Sequence, residues 1–361
     1  METPEHLAQT LIHKKDIVCT QCEEPTIYPL TGGIININEV ICSPCFDCQP
    51  VVASIYINAP ERRDKELFIR QILMQQPGIP VPTLLDSGDT FIDGQLITYM
   101  VKELIPGDTL YSVLHNRLPE LSKIDLESIA LQLGNYLARI HQCYFPCFGE
   151  INGDQLSPRS EWRDVFWERF LRRAKSVSNL PSDIQVGPYQ AIDIQVLLPI
   201  LIKKVQQEIG ILDSVTTPVL VHGDCHFLNV MANSTKKWGI SAILDMEDAH
   251  AGDAEVDLAI IESQLNLSPE FSTAFKTVLP AFLHGYSMKR RISPEFKQKR
   301  KLYHIPWSLS YFEAVLQMDT QIHPITEQII GYMHRHYQVL KGISQGLTLE
   351  EIGVPCIVDN D

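Results

Sequence analysis

Apolar positions along this chain follow two periods, and the change from one to the other divides it. In the first hundred residues they come as short runs bounded by turn residues, which predicts strands. Ile27 to Leu30 and Ile34 to Ile41 flank Gly32-Gly33 and read as a hairpin with a tight turn. Val51 to Ile57 reads as a third strand and Leu96 to Val101 as a further one. Between them, residues 61–76 place Leu67, Ile69, Ile72 and Leu73 on one side of a helix, which Pro77-Gly78-Ile79-Pro80 ends. Residues 4–15 read as a short amphipathic helix.

From Asp108 the period becomes helical. Leu126, Ile129, Leu133, Leu137 and Ile140 recur at three and four, the face of a long core helix. Residues 161–176, 193–212 and most of 268–342 also read as helices. Trp162, Phe166, Trp167 and Phe170 fall at helical spacing and read as core, and His141 reads as structural. Lys289-Arg290-Arg291 and Lys297 to Lys301 read as a solvated basic helix face that offsets nearby acids, with an anionic partner or acceptor as the alternative. The pattern returns to strand at Val219-Leu220-Val221 and Ala242-Ile243-Leu244, each followed at once by polar side chains. A small β-rich part followed by a larger helical part predicts an α+β chain, and 361 residues can hold one large domain or two lobes.

Charge narrows the partners. The formal net charge of −14 argues against nucleic acid as a partner. The longest helix-like apolar run, Val196 to Ile202, is too short to span a bilayer, so no membrane partner is expected. No apolar leader opens the chain, and nine cysteines then read as cytoplasmic thiols or metal ligands rather than disulfides. Cys19-x2-Cys22 and Cys42-x2-Cys45 lie at the two ends of the expected hairpin. Four thiolates brought together there would suit a structural Zn²⁺.

The two late strands carry the chemistry. The first delivers His222, Gly223, Asp224, His226 and Asn229, and the second delivers Asp245. Asp224 and Asn229 are five apart, as in a kinase catalytic loop, and Asp245 follows Asn229 by sixteen residues, room for a hairpin. An Asp that orients a hydroxyl and accepts its proton, followed by an Asn and an Asp that hold Mg²⁺, is the set that phosphoryl transfer needs.

The run His222-Gly223-Asp224-x-His226-x-x-Asn229, then Leu244-Asp245, then Gly252-Asp253-x-x-x-Asp257, resembles the aminoglycoside phosphotransferase / choline kinase-like family. The resemblance implies a bilobal protein-kinase-like fold, with lobes at residues 1–104 and 105–361, and ATP·Mg²⁺-dependent transfer to a hydroxyl of a small-molecule acceptor. It implies Asp224 as base, and Asn229 and Asp245 as Mg²⁺ ligands. His222 and Asp253 would brace the loop, Asp257 would be a buried structural acid, and His226 would contact phosphate or pack. Gly32 and Gly33 would cover the nucleotide phosphates, and backbone near Glu103 to Ile105 would meet the adenine edge. Glu66 falls where the family has the acid that pairs with a strand-three lysine, yet that lysine position holds Ser54. Arg62, Arg63 or Lys65 could then supply the cation. The alternative is a catalytically weak or inactive kinase-shaped binding protein.

Overall fold

Val51–Ile57 is almost wholly apolar, β-branched or aromatic, and it becomes the central strand of an antiparallel sheet. The structure is a computed structural model that describes residues 26–29, 37–42, 50–57, 60–92, 94–234, 237–267, 272–318 and 325–358. Strands β1 (Thr26–Pro29), β2 (Ile37–Cys42), β3 (Val51–Ile57), β4 (Leu84–Ile92) and β5 (Gln95–Glu103) lie in the order β1-β2-β3-β5-β4. The expected hairpin is present, with Tyr28 opposite Val40. Its turn, with Gly32 and Gly33, lies outside the described residues, as does the helix expected at 4–15.

Helix α1 (Pro60–Met74) packs against β3 and β5. Its Ile69 and Leu73 share one apolar cluster with Ile140, Leu220, Ile243 and Met246. The helix that carries Glu66 is therefore seated on the residues that flank the catalytic segment.

The larger lobe begins with β6 (Asp108–Thr109), α2 (Leu110–Asn116) and α3 (Lys123–Ile140). Ser122 and Asp125 cap α3 reciprocally, and the predicted face from Leu126 to Ile140 is buried. Next come the hairpin β7 (Phe148–Asn152) and β8 (Gln155–Arg159), then α4 (Trp162–Ser178), whose Trp162, Phe166 and Phe170 lie in the core. A short ribbon, β9 (Gln185–Val186) and β10 (Tyr189–Gln190), precedes α5 (Ala191–Gln195) and α6 (Leu198–Glu208). The helix expected across 193–212 is thus broken. Pro199 sits in the first turn of α6, where its missing N–H costs nothing, and Ile209–Ser214 is a 3₁₀ turn.

Four short strands follow: β11 (Val219–Val221), β12 (Val230–Asn233), β13 (Gly239–Ile243) and β14 (His250–Gly252). They form two small sheets, β11-β14-β7-β8 and β13-β12-β6. Helices α7 (Glu255–Leu267), α8 (Ser272–Ser287), α9 (Phe296–Leu316) and α10 (Glu327–Gln345) complete the lobe. Helices α3 and α8 meet almost backbone to backbone. A Cβ at Gly134 would overlap the Phe282 carbonyl, and one at Gly285 the Leu131 carbonyl.

The basic stretch at the start of α9 does offset acids, but it is solvated only in part: Lys297 is exposed while the next two cations are not. Lys299 is 3% and Arg300 1% exposed. Lys299 pairs with Asp253 at 2.8 Å and Glu255 at 2.6 Å, and Arg300 with Glu262 at 2.7 Å. Each cation is buried with its own acids, as a buried charge requires.

Candidate active site

Strand β11 is buried along its length and ends at Val221, directly before His222. Asp257, from the first turn of α7, accepts the N–H of His222 at 2.8 Å and of Gly223 at 2.9 Å. Its Oδ2 also lies 2.9 Å from His141 Nε2, and His141 Nδ1 is 2.9 Å from the Tyr286 hydroxyl. Burial alone would raise the Asp257 carboxyl, but the bonds to His141 and to the loop backbone outweigh it and hold it below the usual carboxylate range. Gly223 turns the chain at φ +81°, where a Cβ would overlap the Asp248 carbonyl. His222 Nε2 meets the Leu244 carbonyl at 2.9 Å, which ties the loop to the end of β13.

Asp224 leaves this anchored turn with its side chain 31% exposed. Asn229 Nδ2 donates to the Asp224 carbonyl and to its Oδ2, both at 3.0 Å. The amide oxygen of Asn229 takes part in neither bond. The Leu244 N–H donates to the Asn229 carbonyl at 2.8 Å, so Asn229 and Asp245 sit side by side. His226 Nε2 lies 3.4 Å from Asp224 Oδ2, and its Nδ1 accepts the Leu228 N–H at 3.2 Å. Burial pulls the His226 imidazole down, but the Asp224 carboxylate overrides this and raises it.

Asp245 has φ +58°, the left-handed region, and is the only non-glycine described residue with positive φ. Such a backbone on a non-glycine residue is a feature that functional sites concentrate. Its carboxyl is raised by burial and then by Asp224. Glu247, two residues on, is raised to about 7 by burial and by Asp245. Asp224, Asn229 and Asp245 thus converge, and two of them repel each other. That is the donor set a hard divalent cation fits: oxygen atoms only, with excess negative charge that a cation relieves. Among the described residues no cluster of three or more His, Cys, Asp or Glu could hold a metal by itself.

On the small-lobe side, Ser54 is buried and donates to Asn38 Oδ1 at 2.6 Å. Glu66 accepts from Lys102 Nζ, at 3.1 and 3.3 Å, and from the Tyr56 hydroxyl at 3.1 Å. The Glu103 N–H is taken by the Thr83 carbonyl and that of Leu104 by the Pro50 carbonyl. Of the stretch expected to meet the adenine edge, Ile105 is the residue whose N–H enters no such bond among the described residues.

The phosphotransferase enzyme family matches residues 52–293, two thirds of the chain. The chain belongs to this family. No curated protein matches it in sequence. The fold is shared with solved kinases at low identity. A microcompartment-associated aminopropanol kinase is 14% identical, with 97% of this chain and 99% of that one covered at a TM-score of 0.61. The amicoumacin kinase hAmiN, in complex with AMP-PNP, Ca²⁺ and Ami, is 16% identical over 96% and 97%, at 0.62. An ethanolamine kinase from Plasmodium vivax is 13% identical over 94% and 88%, at 0.54. The bilobal α+β architecture is therefore the protein-kinase-like one.

Within this phosphotransferase, one expectation changes. Asp253 does not brace the catalytic loop. It accepts from Lys299 at 2.8 Å, from the Tyr303 hydroxyl at 2.6 Å and from the Glu255 N–H, and so ties the start of α7 to α9. The reason is positional: β14 carries it away from Asp224, while Asp257, one helical turn on, points back to the loop. Of the cations considered for the Ser54 gap, Arg63 is held by Asp64 and Asp89, and Arg62 reaches Glu247 at 4.0 Å. Lys65 lies in the field of Asp248, Arg169 and Glu150. Lys102 and Glu247 were not singled out from the sequence. Lys102 is on a different strand from the expected lysine, and Glu247 had no spacing rule attached to it. Of the zinc set, Cys19, Cys22 and Cys45 lie outside the described residues, and Cys42 ends β2.

Behind the loop, Arg169 of α4 bridges Glu150 at 2.8 Å and Asp248 at 3.0 Å. Burial would raise the Glu150 carboxyl, but Arg169 above all holds it down at about 2, from an ordinary 4.5. A depressed carboxyl contributes stability that is full above about pH 4.5 and is lost as pH falls toward 2. Arg169→Met should therefore lower the melting temperature at pH 7 and flatten its decline between pH 5 and 3. Differential scanning fluorimetry across that range checks both, and a wild-type-like pH profile would contradict the bridge.

Proposed function

We propose that this chain is a small-molecule kinase that moves the γ-phosphoryl group of ATP onto an acceptor hydroxyl with Mg²⁺ as cofactor. The observation that carries the reading is the convergence of Asp224, Asn229 and Asp245 at the end of two tied strands. Asp224 orients the acceptor hydroxyl and takes its proton as the new O–P bond forms. Its carboxylate is held for this by Asn229 and flanked by His226. The Asn229 amide oxygen and the Asp245 carboxylate would hold Mg²⁺, which when bound neutralises charge on the β- and γ-phosphates. Ile105 offers a backbone N–H to the adenine edge, and Gly32 and Gly33 are the stretch proposed to cover the phosphates. His222, His226 and Asp257 keep the loop in shape.

The acceptor is proposed to be an aminoglycoside, another antibiotic or a hydroxyl-bearing metabolite. Kinases of the same fold include ones named for aminopropanol, amicoumacin and ethanolamine. Among the described residues no helix is long and apolar enough to cross a membrane. A net charge of −14 further favours a small, cationic acceptor over nucleic acid. The alternative, a kinase-shaped binder without turnover, draws on the neutral Ser54.

The test is transfer of label from γ-³²P ATP to a panel of amino alcohols and amino sugars, with and without Mg²⁺. A labelled acceptor formed only with Mg²⁺ supports the enzyme. Nucleotide binding with no labelled product on any acceptor favours the binder.

A further inference from the structure

A nucleotide-binding cleft without a lysine on its third strand lacks the charge that faces the α- and β-phosphates. Ser54 does not supply it: the side chain is 2% exposed, neutral, and turned along the sheet to Asn38. The neighbouring strand does. In the β3–β5 ladder Ser54 stands opposite Met100 and Val52 opposite Lys102. Directly opposed residues project from the same face, and so do residues two apart on one strand, so Ser54, Val52 and Lys102 share a face. Lys102 lies on the diagonal from Ser54, a displacement of roughly 8 Å between backbones, one strand across and two residues along.

The far end of Lys102 is fixed. Its ammonium meets both oxygens of Glu66, with the two side chains 17% and 14% exposed, so neither is sealed from solvent. Tyr56, also on the Ser54 face of β3, holds the same carboxylate through its hydroxyl. Glu66 rides on α1, which is packed against Leu220 and Ile243, so the pair is referenced to the catalytic strands. Both members of the pair act on the opposite wall. The Glu66 carboxylate bears on Asp245, and Glu66 and Lys102 both bear on Glu247.

We infer that Lys102 performs the phosphate-holding role absent at Ser54, with its ammonium oriented by Glu66 toward the α- and β-phosphates of the bound nucleotide. The lysine has moved strand while its acid has stayed, because the two positions point at one spot from adjacent strands. This rests on the phosphotransferase reading and adds to it a residue that touches substrate. It also removes the support that Ser54 gives to an inactive protein.

Binding of MgATP and of adenosine to Lys102→Met separates a phosphate-binding role from scaffolding. Removing a charge-assisted hydrogen bond to the phosphates weakens MgATP by about 10- to 100-fold. Adenosine, which has no phosphate, should bind as it does to the wild type. Adding Ser54→Lys to Lys102→Met should restore part of the MgATP affinity. Equal MgATP affinity in wild type and Lys102→Met overturns the inference, as does parallel weakening of both ligands. The wild-type protein offers an independent test that needs no variant. An acyl-phosphate derivative of ATP passes its acyl group to the amine nearest the phosphates, and peptide mass spectrometry should find it on Lys102, blocked by excess MgATP. Acylation of Lys65 with Lys102 untouched overturns the assignment. Wild type that binds no MgATP removes the nucleotide reading itself, an outcome distinct from failure of Lys102 alone.

Discussion

Asp224→Asn folds as the wild type does and transfers phosphate about 10²- to 10⁴-fold more slowly, the range a positioned general base supplies. The substitution is close to isosteric. An amide oxygen at 224 can still accept the hydrogen bond that Asn229 Nδ2 gives to Asp224 Oδ2 at 3.0 Å. What is lost is the proton acceptor and one negative charge facing Asp245. MgATP should bind no worse, and the loss should fall on kcat. The pairing of an unchanged melting curve with a collapsed kcat is the signature. A variant with kcat near wild type would remove Asp224 from the chemistry.

Asp257→Ala should fail for a different reason. The carboxylate is wholly buried and accepts two backbone N–H groups of the catalytic loop while facing His141. Its removal leaves those donors unsatisfied and His141 without its partner. Breaking such a buried set costs about 3–5 kcal/mol, which corresponds to a fall in Tm of roughly 4–7 °C for a chain of 361 residues. Activity should disappear together with the fold as temperature rises, whereas Asp224→Asn is inactive while folded. Thermal unfolding followed by circular dichroism distinguishes them. A Tm equal to wild type would mean that the loop is held by something other than Asp257.

Much of this was legible along the chain, for identifiable reasons. The strand run 51–57, the helix at 61–76 and the face Leu126 to Ile140 follow from apolar spacing; each forms, the helix with shifts at its ends. The site was legible where it is local. Asp224 and Asn229 lie on one loop, and Asp245 follows on the next strand, so their meeting needs only the β12–β13 hairpin. Pairings made across the fold were not legible. Asp253 finds Lys299 and Tyr303 about fifty residues away, and nothing in its spacing from Asp257 tells the loop anchor from the helix tie. The Lys297 to Lys301 run looked solvated because the acids that bury Lys299 and Arg300 lie on α7. Lys102 escaped notice because reading one strand at a time asks what stands at Ser54, while the sheet asks what stands beside it.

The central claim is that Asn229 and Asp245 hold a divalent ion against a bound nucleotide in front of Asp224. Mn²⁺, which takes the same oxygen donors and is visible by electron paramagnetic resonance, reads this directly. With AMP-PNP present, wild type should bind near-stoichiometric Mn²⁺, and Asp245→Asn, folded and still able to bind adenosine, should bind it at least ~10-fold more weakly. Equal Mn²⁺ affinity in the two proteins would contradict the account.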